Sequence, residues 1–220
     1  ILLREPELLF SIVSEIRRTI DPAIPVTAKM RLGFENTDLA LDCARALAAG
    51  GASQIVVHAR TKTDGYRPPA HWEWIGRVQD VVRVPVFANG EIWSVDDWQR
   101  CRAISGARHY MLGRGLVARP DLALQIDAAD RGVECTPLAW AEISPLLQDF
   151  WVRVRRKLPP QFAPGRLKQW LCWLARSYPE AEVLFNSVRR LNCVETVDMV
   201  IGLDPLRIAD PQLEASLAAP

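Results

Sequence analysis

Four short apolar runs of strand length dominate the chain: VTAKMRLG at 26–33, QIVVHART at 54–61, VPVFANGEI at 84–92 and HYMLGRGL at 109–116. Each breaks at its C-terminal end into glycine or into a cationic or imidazole side chain. That is how a buried parallel strand delivers polar groups to a ligand. The runs recur at roughly 25–30 residues with helical patterns in the gaps, the spacing of successive βα units. In a (β/α)8 barrel the C-terminal strand ends converge on one face, where the active site sits.

Residues 6–20 place Leu8, Leu9, Ile12, Val13, Ile16 and Ile20 at helical spacing, with Pro6 suited to a first turn. Thr37 or Asp38 can cap the next helix, which Gly50 and Gly51 stop. The stretch 61–82 reads as a long irregular connection, polar at its start. Ser94 is a candidate N-cap for a helix that Gly106 ends, and Arg119-Pro120-Asp121 opens another. From Leu138 onward helical segments follow one another without strands. The expected fold is α/β, the C-terminal half of a (β/α)8 TIM barrel followed by a small all-α domain. Its divisions are 1–137 for the partial barrel, 138–210 for the helical domain and 211–220 for a frayed tail.

Four βα units make half a barrel, which leaves two strand edges open. The preceding half is therefore expected either upstream of Ile1 or on another molecule. With 220 residues and a net charge of +1, the chain has the bulk for one medium domain and a small one. No uninterrupted apolar run approaches the roughly 20 residues of a membrane span, and a cytoplasmic protein is the default. Cys43, Cys101, Cys135, Cys172 and Cys193 lie far apart with no CxxC spacing, so no metal site is expected.

VPVTAKMRLGFE, IVVHARTKTDGY, VPVFANGEI and YMLGRGL, in this order and ahead of a helical tail, resemble the tRNA-dihydrouridine synthases. The tail sequence APGRLKQWL resembles that of the C-type bacterial subgroup, which reduces the uridine at position 16 of the tRNA D-loop. The resemblance implies an FMN-binding barrel and a helical tRNA-binding domain. It also implies NADPH as reductant, hydride transfer to C6 of uridine and protonation of C5 by a cysteine. The complete protein is expected to be a monomer.

By this resemblance Lys29 lies against the flavin and steadies the edge that becomes negative on reduction, and His58 contacts the flavin. Asn89, Gly90 and Glu91, with Gly113 and Arg114, form a phosphate cradle. In it glycine lets backbone N–H groups approach an anion and arginine adds a charge-assisted grip. Glu91 can serve there only through its backbone N–H. Arg60, two positions beyond His58 and so expected on the same face, is a candidate contact to flavin or RNA.

The family's cysteine belongs to a motif expected upstream of Ile1, and none of the five cysteines here has that context. The chain alone is therefore expected to be inactive. Between Trp151 and Pro179 stand Arg153, Arg155, Arg156, Lys157, Arg166, Lys168 and Arg176 and no acid, interleaved with aromatic residues. Such a cluster suits tRNA, with cations on phosphates and rings on bases. The plain alternative is an amphipathic helix pair whose tryptophans are core. Two other functions stay open: a non-catalytic tRNA-binding remnant, and another FMN barrel acting on a small molecule, against which the basic tail argues.

Overall fold

The structure, a computed structural model, describes residues 2–202; the tail at 211–220 lies outside the described residues. It forms two compact units, Ile1–Gly115 and Leu116–Pro220.

In the first unit a short 3-10 turn at Leu2–Arg4 leads into α1 (Pro6–Thr19), followed by β1 (Thr27–Arg31), α2 (Ala40–Ala49) and β2 (Gln54–His58). Then come α3 (Glu73–Val81), β3 (Val86–Asn89), α4 (Val95–Ser105) and β4 (His109–Met111); α5 (Arg114–Ala118) begins in this unit and ends in the second. The four strands form one sheet in the order β1-β2-β3-β4, every neighbouring pair parallel. Repeated βα units joined by helical crossovers give this order, the architecture of a partial (β/α)8 barrel.

The register gives the two faces different characters. Met30, Val57, Ala88 and Tyr110 are aligned across the sheet, as are Ala28, Ile55 and Val86, and all but Tyr110 are buried. Because strand side chains alternate, the other face carries Lys29, Val56, Phe87 and His109, and one step further on Arg31, His58, Asn89 and Met111. The last row is made of the final residues of all four strands.

Local chemistry explains the helix limits. Ser94 Oγ accepts from Asp97 N–H at 3.1 Å while the Asp97 carboxylate accepts from Trp93 N–H at 3.0 Å, a reciprocal cap on α4. Gly106 ends α4 in the left-handed conformation, φ +64°. Gly50 is required for close approach: a Cβ there would sit 2.9 Å from the Phe10 carbonyl oxygen and from Val13 Cβ, where α1 crosses the end of α2.

Three expectations change. Neither Thr37 nor Asp38 caps α2, whose N-cap position is Leu39. The stretch 61–82 contains α3, which buries Ile75 and Val78; its glycine- and proline-rich start masked the helical spacing of its second half. On α1 only Leu9 and Val13 are buried, whereas Leu8, Ile12 and Ile16 are exposed, because the six apolar residues span a wider arc than α2 covers.

The second unit is helical in every described element: α6 (Leu122–Asp130), α7 (Trp140–Lys157), α8 (Ala163–Leu174), α9 (Pro179–Val188) and α10 (Val194–Val200). Ile143, Leu147, Trp151, Leu167, Leu171 and Leu174 form its core. Buried Asp198 of α10 accepts from Trp151 Nε1 at 2.6 Å and pairs with Arg155, so the polar groups at the α7–α10 contact satisfy one another.

Replacing Ser94 with Ala should lower stability by about 1 kcal/mol, with the urea m-value unchanged. Equilibrium urea unfolding followed by circular dichroism measures this, and an unchanged midpoint would show that the cap does not hold α4.

Candidate functional site at the strand ends

The terminal row of the sheet opens into a cleft of about 170 Å³ lined by Lys29, His58, Tyr66, Asn89, Gly90, Glu91, Trp93, Gly113 and Arg114, among others. Asn89 is its centre. Its Oδ1 accepts from Lys29 Nζ at 2.7 Å and its Nδ2 donates to the Met111 carbonyl at 2.7 Å, tying β1, β3 and β4 together. The Lys29 ammonium thus meets a neutral amide oxygen and keeps its charge uncompensated at that contact.

Of the residues expected from sequence, Lys29, His58, Asn89, Gly90, Glu91, Gly113 and Arg114 all line this one cleft. Gly90 adopts φ +117°, and a Cβ on it would lie 3.0 Å from His58 Cδ2, so only glycine fits beside the imidazole. At Gly113 a Cβ would meet nothing within 4 Å.

Glu91 is the one non-glycine residue with positive φ among the described residues, at 60°. This backbone turns its carboxylate away to pair with Arg60 and to accept from Trp93 Nε1 at 2.7 Å. The acid that would repel an anion is thereby engaged elsewhere.

Arg60 itself is placed otherwise than expected. It is fully buried, and its Nε donates to the Arg67 carbonyl at 2.7 Å. Strand β2 ends at His58 and the chain then turns, so the alternation that would have put residues 58 and 60 on one face does not reach Arg60. It braces the loop after β2 and offers no surface to RNA.

Tyr66 and Trp93 also line the cleft and Arg31 supports it from behind the lining; none of the three was anticipated. Arg31 donates to the Thr61 and Gly65 carbonyls at 2.6 and 2.9 Å, holding the loop that carries Tyr66. The Arg114 guanidinium lies 4.7 Å from the Tyr66 ring centre and 5.1 Å from that of Trp93. Arg31 was legible in principle, since it sits two positions beyond Lys29 on the same strand face. The aromatic residues lie on loops, where no periodicity points to them.

The electrostatics follow from this crowding. Burial, and then Arg31, Lys29, Arg60 and Arg114, push the His58 imidazole down to about 4. Burial and Arg31 also lower Lys29. At neutral pH the cleft therefore presents a neutral imidazole beside several cations, a donor set that suits an anionic ligand with ring nitrogens or oxygens. No group of three or more His, Cys, Asp or Glu side chains among the described residues could hold a metal ion, and no described helix is long and apolar enough to cross a membrane.

The basic residues of the helical unit divide. Arg153, Lys157 and Arg166 are exposed, and Lys168 is partly exposed with Nζ 3.3 Å from Asn192 Oδ1. Arg155 is turned inward to Asp198, 19% exposed, and Arg156 is partly buried. Arg155 was expected at an RNA surface; its position on α7 directs it to the helix-packing side instead.

Residues 1–186 match the family described as dihydrouridine synthase (Dus). The chain is similar to three proteins named tRNA-dihydrouridine(16) synthase. It is 65% identical over 205 residues to that of Aquipseudomonas alcaligenes, covering 93% of this chain and 65% of that protein. The figures are 64% identity, 92% and 64% for Pseudomonas syringae, and 60%, 93% and 63% for Pseudomonas putida. The chain thus spans just under two thirds of the length of each.

Two outcomes are expected from this geometry. Because its folded pKa lies below the ordinary value of about 6.5, His58 resists protonation in the native state. Its contribution to stability is complete above that value and is lost as pH falls toward about 4. An NMR titration of His58 with a midpoint near 6.5 would contradict the crowding. Arg60→Ala, which strands Glu91, should cost about 3 kcal/mol in urea unfolding, whereas an exposed arginine would cost about 0.5 kcal/mol or less.

Proposed function

Because the chain belongs to the dihydrouridine synthase family, we propose that it serves the FMN-dependent reduction of uridine to 5,6-dihydrouridine in tRNA. NADPH is the proposed reductant and position 16 of the D-loop the proposed target. The cleft at the strand ends carries this reading: Lys29 from β1 and Arg114 from the segment after β4 converge there, and its one carboxylate is turned onto Arg60.

The residues present fit FMN. Gly90 and Gly113 leave room for backbone to approach a phosphate, and Arg114 supplies a fork of donors for its oxygens. Lys29, oriented by Asn89, would offer a positive charge to a flavin edge that gains negative charge on reduction. His58, kept neutral, can hydrogen-bond a ring heteroatom without adding charge. When bound, FMN would supply a hydride to C6 of the uracil, and a proton delivered to C5 would complete the saturation of the C5–C6 bond. For the target base to reach this cleft it must leave its stack, as enzymes acting on a nucleobase require. Arg153, Lys157, Arg166 and Lys168 are the proposed tRNA contacts of the helical unit, with cations neutralising phosphates.

The test is a graft. This chain should be exchanged for the matching segment of the Aquipseudomonas alcaligenes relative, and the hybrid supplied with unmodified tRNA and NADPH. It should purify yellow and add the mass of two hydrogens to one uridine. Arg114→Ala in the hybrid should weaken FMN retention by about 10-fold. A colourless hybrid that leaves tRNA unchanged, beside an active parent enzyme, would overturn the reading.

A further inference from the structure

The helical unit contains a second, larger recess that the strand-end chemistry does not use. It is a groove of about 850 Å³ within residues 116–173, formed by Leu116, Val117 and Pro120, by Phe150 and Val154 of α7 with Leu158 just beyond it, and by Trp170 and Trp173 of α8. Arg153, Lys157, Arg166 and Gln169 complete its lining, and no acid is among its residues.

Its parts are arranged for two kinds of contact at once. Trp170 is fixed: its Nε1 donates to the Val117 carbonyl at 3.0 Å, and its ring meets Phe150 edge-on at 4.8 Å between centroids. Trp173, one turn further along α8, is partly exposed. Arg153 and Lys157, four residues apart on α7, lie on one face of that helix, and neither makes an ion pair among the described residues. Arg166 Nη1 donates to Gln169 Oε1 at 3.2 Å, which leaves the Gln169 amide nitrogen as a donor at the groove.

An apolar aromatic floor with a rim of three cations, one amide and no acid selects a ligand that is flat and apolar on its faces and anionic at its edge. A nucleotide has both properties. Paired bases in a duplex keep their faces covered, so the groove requires an unpaired one. We propose that this groove binds an unpaired ribonucleotide of the tRNA, its base against Trp173 and Phe150 and its phosphates on Arg153 and Lys157. The Gln169 amide is then available to a base carbonyl. The proposal rests on the tRNA reading above and adds to it a single-strand site separate from the cleft where chemistry occurs.

The test uses the 220-residue chain and a fluorescein-labelled decauridylate, with an RNA duplex of the same length and an acidic amphipathic peptide as competitors. Decauridylate should bind more tightly than the duplex and quench tryptophan emission. Trp173→Leu should weaken binding by about 10-fold without altering its salt dependence, and Trp173→Phe should recover most of the loss. The double variant Arg153→Gln/Lys157→Gln should reduce the slope of log K against log salt by about 1.4, at 0.7 per phosphate contact on a single strand. Should Trp173→Leu fail to fold, Gln169→Ala, at an exposed position, takes its place, with a loss of about 3-fold expected. Equal affinity for duplex, preference for the acidic peptide, or unchanged decauridylate binding in the folded variants would each overturn the proposal. FMN retention in the hybrid is an independent readout: its loss with decauridylate binding intact would sink the flavin reading and leave this one standing.

Discussion

The parallel register of the four strands is the constraint on which the rest of the first unit depends. In-phase pairing of β1 to β4 sets Arg31, His58, Asn89 and Met111 in one row and turns Met30, Val57, Ala88 and Tyr110 to the opposite face. A slip of one residue in any pair would exchange the faces, driving a cation into the layer of buried aliphatics. Burial of Ile55, Val57 and Ala88, all fully enclosed, therefore also orients the polar row. Asn89 then ties the row together, spending both ends of its amide on its neighbours.

Gathering like charges at the strand ends works against stability, and the structure offsets this in a particular way. The carboxylate nearest to hand, Glu91, neutralises Arg60, the arginine that is buried, and leaves Lys29 and Arg114 to the cleft. The cost of desolvating Arg60 is offset by the pair and by the Arg67 carbonyl. Positive φ at Glu91 belongs to this arrangement, since it is what aims the carboxylate inward.

The helical unit sorts its cations by the same rule. Arg155 falls on the side of α7 that packs against α10 and meets Asp198, while Arg153 and Lys157 fall on the opposite side and face a groove. Neighbours in sequence thus have different surroundings: one cation anchors a helix contact, the others stay open to solvent.

Much of the scaffold was legible in the residues alone, because it rests on local and periodic physics. The strand runs, the Ser94 cap, the Gly106 stop and the parallel βα order each follow from alternation, capping or crossover geometry, and so did the convergence of Lys29, His58, Asn89 and Arg114 at strand ends. What depended on where the chain goes after an element ends was not legible. The turn after His58 removed Arg60 from the face its spacing implied, and the loop it entered brought Tyr66 to Arg114. The arc of α1 that stays uncovered, and the division of Arg153, Arg155 and Lys157 between the α10 contact and the groove, were settled by which helix packs on which side. Periodicity assigns a residue to a face; only tertiary packing decides what, if anything, that face meets.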